Sequence, residues 1–106
     1  MNYSTIFLMR ARKEILEAWG WYEDKQAGLG DRFREELLKR IYEIEQDPER
    51  YPQRKAPYRE TLVKIFPYII IYRLNKKKQL VIISSIFHAK RNPQKKYTTR
   101  KLKNKR

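Results

Sequence analysis

Basic, hydroxyl and imidazole side chains are the groups in this 106-residue chain that could do chemistry. They gather in its second half, on strand-like runs and just after the last one: Arg59, Lys64, Arg73, His88, Arg91 and Tyr97. Metal-free RNA cleavage can use such a set. One side chain takes the proton of the attacking 2′-hydroxyl, another protonates the leaving 5′-oxygen, and cations stabilise the extra charge on phosphorus. The rings of Tyr72 and Tyr97 could stack on bases.

Structural roles for the same residues stay open. His88 at a strand end can be a hydrogen-bonded structural residue, and Arg73 can simply be exposed where its strand ends. Lys64 alternates with apolar neighbours, so its only role can be to lie on the solvent-facing side of the strand. Tyr97 can pack the C-terminal segment onto the sheet. Three aromatic residues are expected in the core or at a partner interface rather than on a base-stacking platform: Trp19, Trp21 and Tyr22.

Several other chemistries lack their residues. The three glycines lie at positions 20, 28 and 30, so the sequence has no glycine-rich phosphate loop. Cysteine is absent, which excludes a disulfide framework and a thiolate metal site. A single histidine, His88, cannot supply a paired-histidine acid and base. The acids sit mostly in patterns typical of solvated helix faces, which argues against a two-metal centre. We expect no cofactor and no metal.

Charge divides the chain into two unequal halves. Met1–Tyr51 holds 9 Lys/Arg and 11 Asp/Glu, a net charge of −2. Pro52–Arg106 holds 17 Lys/Arg and one acid, Glu60, a net charge of +16. A surplus of this size attracts polyanions, whether nucleic acid, an anionic membrane or an acidic protein. The alternative is a basic surface with no such partner.

Hydrophobic spacing predicts the order of the elements. Tyr3–Met9 predicts a first strand, and apolar residues at helical spacing predict two helices separated by Gly28-Leu29-Gly30. Asp47-Pro48 ends the second helix, and Glu49–Pro57 is expected to be an irregular loop. Three strands follow: Tyr58–Phe66, Tyr68–Leu74 and Leu80–Phe87. The order β-α-α-β-β-β predicts an α+β fold, an antiparallel sheet with an N-terminal helical hairpin packed on one face.

The end of the chain differs in composition from the rest. Ala89–Arg106 has nine Lys/Arg and no acid, and it is too polar to fold as a separate unit. We assign residues 1–93 to one domain and residues 94–106 to a basic C-terminal arm. At the N-terminus a short apolar run precedes the charges, the wrong order for a secretory signal. The apolar stretches are too short to span a bilayer. We expect a cytoplasmic protein with no membrane partner.

Several short motifs occur in a distinctive order. They are Ala11–Ala18, Trp21-Tyr22-Glu23, Gly28-Leu29-Gly30 with Phe33, Tyr51-Pro52, Phe66-Pro67-Tyr68, Ile71-Tyr72, and His88 leading to Arg91-Asn92-Pro93. From about Tyr3 to Pro93 the chain resembles the RelE/ParE toxins of bacterial type II toxin–antitoxin modules. The resemblance implies a growth-inhibiting toxin with a cognate acidic antitoxin, and its fold agrees with the element order above.

The resemblance leaves the target open. RelE-like toxins cleave mRNA in the ribosomal A site without a metal, whereas ParE-like toxins poison DNA gyrase and are not known as nucleases. The helical hairpin looks more like the ParE branch. Lys64 and Arg91 fall where RelE-like toxins carry phosphate-stabilising arginines, and Tyr97 falls at a functional tyrosine. If the chain cleaves mRNA, these three residues and His88 are the candidate catalytic set.

Two departures from the RelE pattern concern the cations. Lys64 lacks the bidentate fork of an arginine. RelE-like toxins also use a pair of lysines upstream, and no such pair is obvious in this sequence. Arg54 and Lys55 lie in the corresponding region. Seven residues are expected to contact nucleic acid or the target: Arg54, Lys55, Arg59, Arg73, Lys90, Lys95 and Lys96. From a different class of function, the alternative is a non-toxic basic nucleic-acid-binding module.

Overall fold

A pair of helices interrupts the chain between its first strand and four later ones. The computed structural model describes residues 2–90. The elements are β1 (Ser4–Phe7), α1 (Met9–Lys25), α2 (Leu29–Gln46), β2 (Gln53–Lys55), β3 (Tyr58–Leu62), β4 (Tyr68–Asn75) and β5 (Leu80–His88). The strands form one sheet in the order β1-β5-β4-β3-β2. The predicted α+β fold is confirmed.

The sheet is mixed, so the prediction of a purely antiparallel sheet is wrong in one strand. β1 pairs in parallel with β5, from Ser4 opposite Leu80 to Phe7 opposite Ile83. The other neighbouring strands pair antiparallel. A parallel pair needs a long crossover connection, and the residues between β1 and β5, with both helices among them, provide one. Alternating apolar residues identify a strand but carry no information about its direction.

Three predicted boundaries also differ. The first strand, predicted over Tyr3–Met9, ends at Phe7, and Met9 is the first residue of α1. Glu49–Pro57 was expected to be irregular, but it contains β2, a three-residue edge strand whose residues are all exposed. The predicted strand Tyr58–Phe66 ends at Leu62, because the chain then turns. Val63 N–H donates to the Tyr68 carbonyl at 2.9 Å across that turn. Strand propensity alone did not reveal the turn, since Val63 and Ile65 are themselves good strand formers.

The hydrophobic core lies between the helices and one face of the sheet. Its centre is an aromatic cluster of Tyr22, Phe33, Phe66 and Tyr68, in which all four rings are buried. Tyr22 and Phe66 meet edge to face with ring centroids 4.9 Å apart, and Phe33 and Tyr68 do so at 5.2 Å. Such pairs add about 0.5–1.5 kcal/mol each beyond the area they bury. The cluster therefore fixes α1 and α2 on the end of the sheet where β4 begins.

The opposite face of the two central strands is apolar as well. Ile71, Ile82 and Phe87 are buried but lie outside the main core cluster. Because side chains alternate across a strand, burial on both faces removes the alternation from the sequence. This explains why β4 and β5 are nearly continuous apolar runs.

The carboxylate of Glu14 completes the edge of β5 beyond the last β1 pair. Its Oε1 accepts the Ser85 hydroxyl and the Ile86 backbone N–H, each at 2.8 Å. Its Oε2 accepts Arg10 Nε at 3.0 Å within the same helix. An edge N–H that β1 is too short to reach is thus satisfied by a side chain of α1.

Hydrogen bonds fix the turn between the helices, and three of the residues involved, Glu23, Gly28 and Gly30, belong to the motifs that carry the family resemblance. Glu23 accepts the Gly28 and Gly30 backbone N–H groups at 2.9 and 3.0 Å, capping the first turn of α2. Trp19 Nε1 donates to Asp31 at 3.0 Å. Gly28 has a left-handed φ of 90°. A Cβ on Gly30 would lie 2.6 Å from the Trp19 carbonyl oxygen, so only glycine lets the helices approach this closely.

No helix within residues 2–90 has the length and apolar character needed to cross a membrane.

Candidate functional site

One end of the sheet gathers three of the predicted site residues. Lys64 is exposed in the turn between β3 and β4, and His88 ends β5 opposite Tyr68. Lys90 follows two residues after His88. The Ala89 N–H donates to the Pro67 carbonyl at 2.7 Å, which ties the end of β5 to that turn. Two chain segments that carry cations are therefore held next to each other.

His88 has a fixed ring at this end of the sheet. It meets the Tyr68 ring edge to face, with centroids 5.0 Å apart. Its Nδ1 accepts the Lys90 backbone N–H at 3.1 Å. A ring nitrogen that accepts a hydrogen bond carries no proton, so this contact places the proton of the neutral imidazole on Nε2. The predicted structural role for His88 is thus present in the fold, and a proton-carrying role stays a prediction.

A cavity opens between α1 and this end of β4 and β5. Its volume is about 310 Å³, and its lining residues are Glu17, Trp21, Tyr22, Tyr68, His88 and Lys90. The Trp21 and Tyr22 rings meet edge to face, with centroids 5.2 Å apart, and Lys25 Nζ lies 4.5 Å from the centroid of the Trp21 ring. The walls are thus aromatic, and cations stand at the rim. Such a lining suits an apolar group flanked by negative charge.

The hydroxyl of Tyr22 is not a general base at neutral pH. Burial raises the pKa of Tyr22 above its usual value, and the neighbouring Tyr68 raises it further. The phenol therefore stays protonated, and it can serve the cavity as a wall and a neutral hydrogen-bonding group. The sequence pattern had assigned Trp21 and Tyr22 to the core or a partner interface. It had not linked them to His88 or Glu17, because that cavity depends on the docking of α1 against β5.

Arg54, Lys55, Arg59 and Arg73 lie toward the other end of the sheet. Arg59 pairs with Tyr72, and Arg73 with Ile82, near the turn between β4 and β5. Arg73 lies five positions beyond Tyr68, the partner of His88, which is about 17 Å along a strand. Alternation also places Arg73 on the sheet face opposite Tyr68. The structure therefore does not bring these cations together with Lys64 and His88.

Two of the predicted nucleic-acid contacts have structural roles in the loop that leaves α2. One guanidinium nitrogen of Arg59 donates to the Glu49 and Tyr51 carbonyls, at 3.1 and 2.7 Å. The Tyr72 hydroxyl donates to the Pro48 carbonyl at 2.8 Å, and burial raises its pKa well above the usual range. Tyr72 is 0% exposed, so the prediction that it could stack on a base is wrong. Its central strand position buries the ring under the helices.

The remaining predicted residues lie outside the part of the chain that the structure describes. These are Arg91, Lys95, Lys96 and Tyr97. Within residues 2–90, no three His, Asp or Glu side chains come together in a group that could hold a metal ion. The phosphate-stabilising roles suggested for Lys64 and Arg91 thus rest on the sequence resemblance.

Comparison with known proteins identifies the class of molecule. The family of ParE toxins of type II toxin–antitoxin systems, parDE, matches residues 6–93. The fold described above and this match define a toxin of a type II toxin–antitoxin system. Within that class, the chain belongs to the ParE toxin family, which lies in the predicted RelE/ParE superfamily. No curated protein matches the chain significantly.

Solved structures carry the same fold. A chromosomal ParDE toxin–antitoxin system from P. aeruginosa matches with a TM-score of 0.71 at 11% identity, covering 83% of this chain and 97% of that chain. A mutant of the E. coli toxin RelE in the free state matches with a TM-score of 0.66 at 26% identity, covering 85% and 86%. A chain of the toxin–antitoxin complex RelBE2 from Mycobacterium tuberculosis matches with a TM-score of 0.60 at 17% identity, covering 83% and 99%.

Proposed function

We propose that this toxin inhibits growth by poisoning DNA gyrase and that a cognate acidic antitoxin neutralises it. The observation that carries the proposal is the match of the ParE family over residues 6–93, which includes the whole helical hairpin. The hydrogen bonds from the Gly28 and Gly30 N–H groups to the Glu23 carboxylate give that hairpin a fixed shape. A fixed outer surface suits recognition of a folded protein target.

The distribution of cations also favours a protein target over a scissile phosphate. Transition-state stabilisation of an RNA phosphate needs charged groups converging on one point. Arg59 donates to two backbone carbonyls, and Arg73 is about 17 Å along β4 from the position paired with His88. Lys64 lies on an exposed turn and offers a point charge in place of a fork. Such scattered cations suit a broad contact surface.

A second candidate mechanism is ribosome-dependent mRNA cleavage without a metal. Lys64 and His88 share one end of the sheet, and Arg91 follows His88 by three residues. The 26% identity with E. coli RelE supports this alternative. In this mechanism Lys64 and Arg91 stabilise charge on phosphorus, Tyr97 stacks on the base or transfers a proton, and His88 carries a proton. Neither mechanism requires a cofactor.

Two assays of the purified toxin separate the mechanisms. We expect it to inhibit the supercoiling activity of gyrase and to leave mRNA intact on translating ribosomes. The second assay uses a defined A-site codon and detects breaks by primer extension. Cleavage at that codon with unaffected supercoiling would reverse the assignment and retain the family. Normal growth on induction, with no effect in either assay, would favour the non-toxic nucleic-acid-binding module.

Arg91→Ala tests the mRNA mechanism directly. If Arg91 stabilises the transition state, its loss lowers the cleavage rate by about 10²–10³-fold while folding and antitoxin binding persist. Under gyrase poisoning, the variant changes toxicity only as far as it alters a contact surface. Lys77→Ala, in the turn at the other end of the sheet, is the matched control. Equal and small effects of the two variants on toxicity would support the gyrase mechanism.

The contact residues and the compartment belong to the same proposal. Gyrase, ribosomes and mRNA are cytoplasmic, which places the toxin there. Arg54, Lys55, Arg73 and Lys90 are proposed to face the target, together with Lys95 and Lys96. We expect co-expression with the open reading frame beside the toxin gene to give a complex and restore growth. Failure of both would remove the main support for the toxin function.

A further inference from the structure

The cavity beside His88 has an exposed aromatic side chain at its mouth. Trp21 is 56% exposed, although its neighbours in the cavity wall, Tyr22 and Tyr68, are buried in the core. An exposed indole against a rigid aromatic wall is the kind of residue that dominates binding energy at protein interfaces. Trp21 also holds its place in the absence of a partner, because its ring packs edge to face with Tyr22 and Lys25 lies over it. Little ordering would therefore be needed on binding.

The charges around this cavity indicate what kind of partner it can bind. Lys25 lies over Trp21, Lys90 lines the cavity, and Lys64 stands on the adjoining turn. Among the described lining residues, Glu17 is the one acid. The whole chain carries a net charge of +14. The rim thus complements a negatively charged segment, while the cavity itself complements an apolar group.

We infer that this cavity receives one large aromatic or branched aliphatic side chain from an acidic segment of the antitoxin. Acidic residues on either side of that anchor pair with Lys25 and Lys90. The inference rests on the proposed function, since it requires an antitoxin. A volume of about 310 Å³ is at the small end for binding sites and suits a single side chain.

A nucleobase fits this cavity less well than a peptide anchor. Reading a base needs several converging donors and acceptors on its edge. Here His88 Nδ1 is already bonded to the Lys90 N–H, and the walls contributed by Trp21, Tyr22 and Tyr68 are ring surfaces. Nucleic-acid binding is therefore an outcome that the experiment must detect.

The experiment measures affinity between purified toxin and the protein encoded beside its gene, by calorimetry or surface plasmon resonance. Trp21→Ala is expected to weaken binding at least 30-fold, the effect of losing an interface hot spot. Leu16→Ala is the matched control, because Leu16 is an apolar residue of α1 with 70% exposure that does not line the cavity. It is expected to change affinity less than threefold. Lys90→Glu should slow association severalfold, and Lys77→Glu, with the same charge change elsewhere, should slow it less.

Tryptophan fluorescence gives a readout of the cavity itself. Burial of the indole in the complex should shift the emission to the blue, and Trp21→Phe should lose that shift while Trp19 retains its own signal. Circular dichroism and thermal melting establish that each variant is folded. Antitoxin affinity within threefold of wild type in a folded Trp21→Ala protein would overturn the inference and leave the toxin function standing. A Trp21 response to a single-stranded oligonucleotide, with none to the antitoxin, would reassign the cavity to nucleic acid. If wild-type toxin binds no antitoxin, the proposed function and this inference both fall.

Discussion

At the scale of single residues, Glu23 joins the two helices. One carboxylate accepts the backbone N–H of Gly28, the N-cap residue of α2, and that of Gly30 in the first turn, at 2.9 and 3.0 Å. Those N–H groups have no partners within the helix, and the helix dipole favours a negative charge beside them. A glutamate near the end of one helix therefore determines where the next helix begins.

Glu23→Ala should destabilise the fold by about 1–3 kcal/mol, since it removes both hydrogen bonds to a charged acceptor. Urea unfolding followed by circular dichroism would measure the loss. The neighbouring Asp24→Ala is the control, because Asp24 is exposed and belongs to the same helix turn. Equal stability of the two variants would show that the cap contributes nothing.

Tyr72 links the sheet to the loop after α2 through its hydroxyl. Tyr72→Phe loses the 2.8 Å bond to the Pro48 carbonyl and should lower stability by about 1 kcal/mol at pH 7. The exposed Tyr42→Phe, on the outer side of α2, should leave stability unchanged. Thermal unfolding of both variants checks the prediction, which fails if Tyr72→Phe melts like wild type.

The pKa values of Tyr72 and Tyr22 also predict how the stability of the fold responds to alkaline pH. Burial raises both pKa values above the usual value of about 10 that applies to the unfolded chain. Above pH 10 the unfolded state therefore loses protons that the folded state keeps, so stability falls as pH rises. Tyr72→Phe should reduce this fall above about pH 10, and the part of the fall that Tyr22 causes should remain. Denaturant unfolding at several pH values would test it; an unchanged slope contradicts the assignment.

At the scale of elements, the close contact of α1 with α2 depends on one glycine. Gly30→Ala places a Cβ 2.6 Å from the Trp19 carbonyl, and backbone must move to accommodate it. The expected cost is about 1–3 kcal/mol. Gly20→Ala is the control within α1, where a Cβ meets no atom within 4 Å. It should be neutral or stabilise by about 0.5–1 kcal/mol, because alanine has the better helix propensity. Denaturation midpoints that move in the same direction for both would refute this explanation.

At the scale of the whole molecule, the positive charge is concentrated after Tyr51. Deleting residues 98–106 removes five Lys/Arg and one large apolar side chain, Leu102, and lowers the net charge from +14 to +9. We expect the melting temperature to change by only a few degrees. Binding to heparin or an oligonucleotide should weaken, and its dependence on salt should flatten.

A variant of the same length with those five cations replaced by glutamine is the control for the deletion. It should reproduce the loss of polyanion binding and the flatter salt dependence, because charge is the variable that both changes share. A large fall in melting temperature in the deletion alone would show that residues 98–106 belong to the folded core.

Most elements were predictable from local patterns of side chains. Apolar residues at helical spacing gave α1 and α2, and the glycines at 28 and 30 marked the turn between them. The β-branched runs gave β4 and β5 because apolar strands buried on both faces have a strong local signature. β2 was not predicted, because three exposed residues at a sheet edge carry no such signature. The candidate site was harder, because Trp21 and His88 lie 67 positions apart in the chain.

The sequence by itself determined the class of fold, the separation of charge and the family resemblance, because spacing, composition and motif order are local or additive properties. Only the tertiary structure decided that β1 runs parallel to β5, that Arg59 and Tyr72 hold the loop after α2, and that Trp21 meets Tyr68 and His88 at one cavity. The direction of a strand and the spatial neighbours of a side chain depend on how distant segments of the chain pack. That packing is settled by the burial of the whole core, which no short stretch of the chain contains.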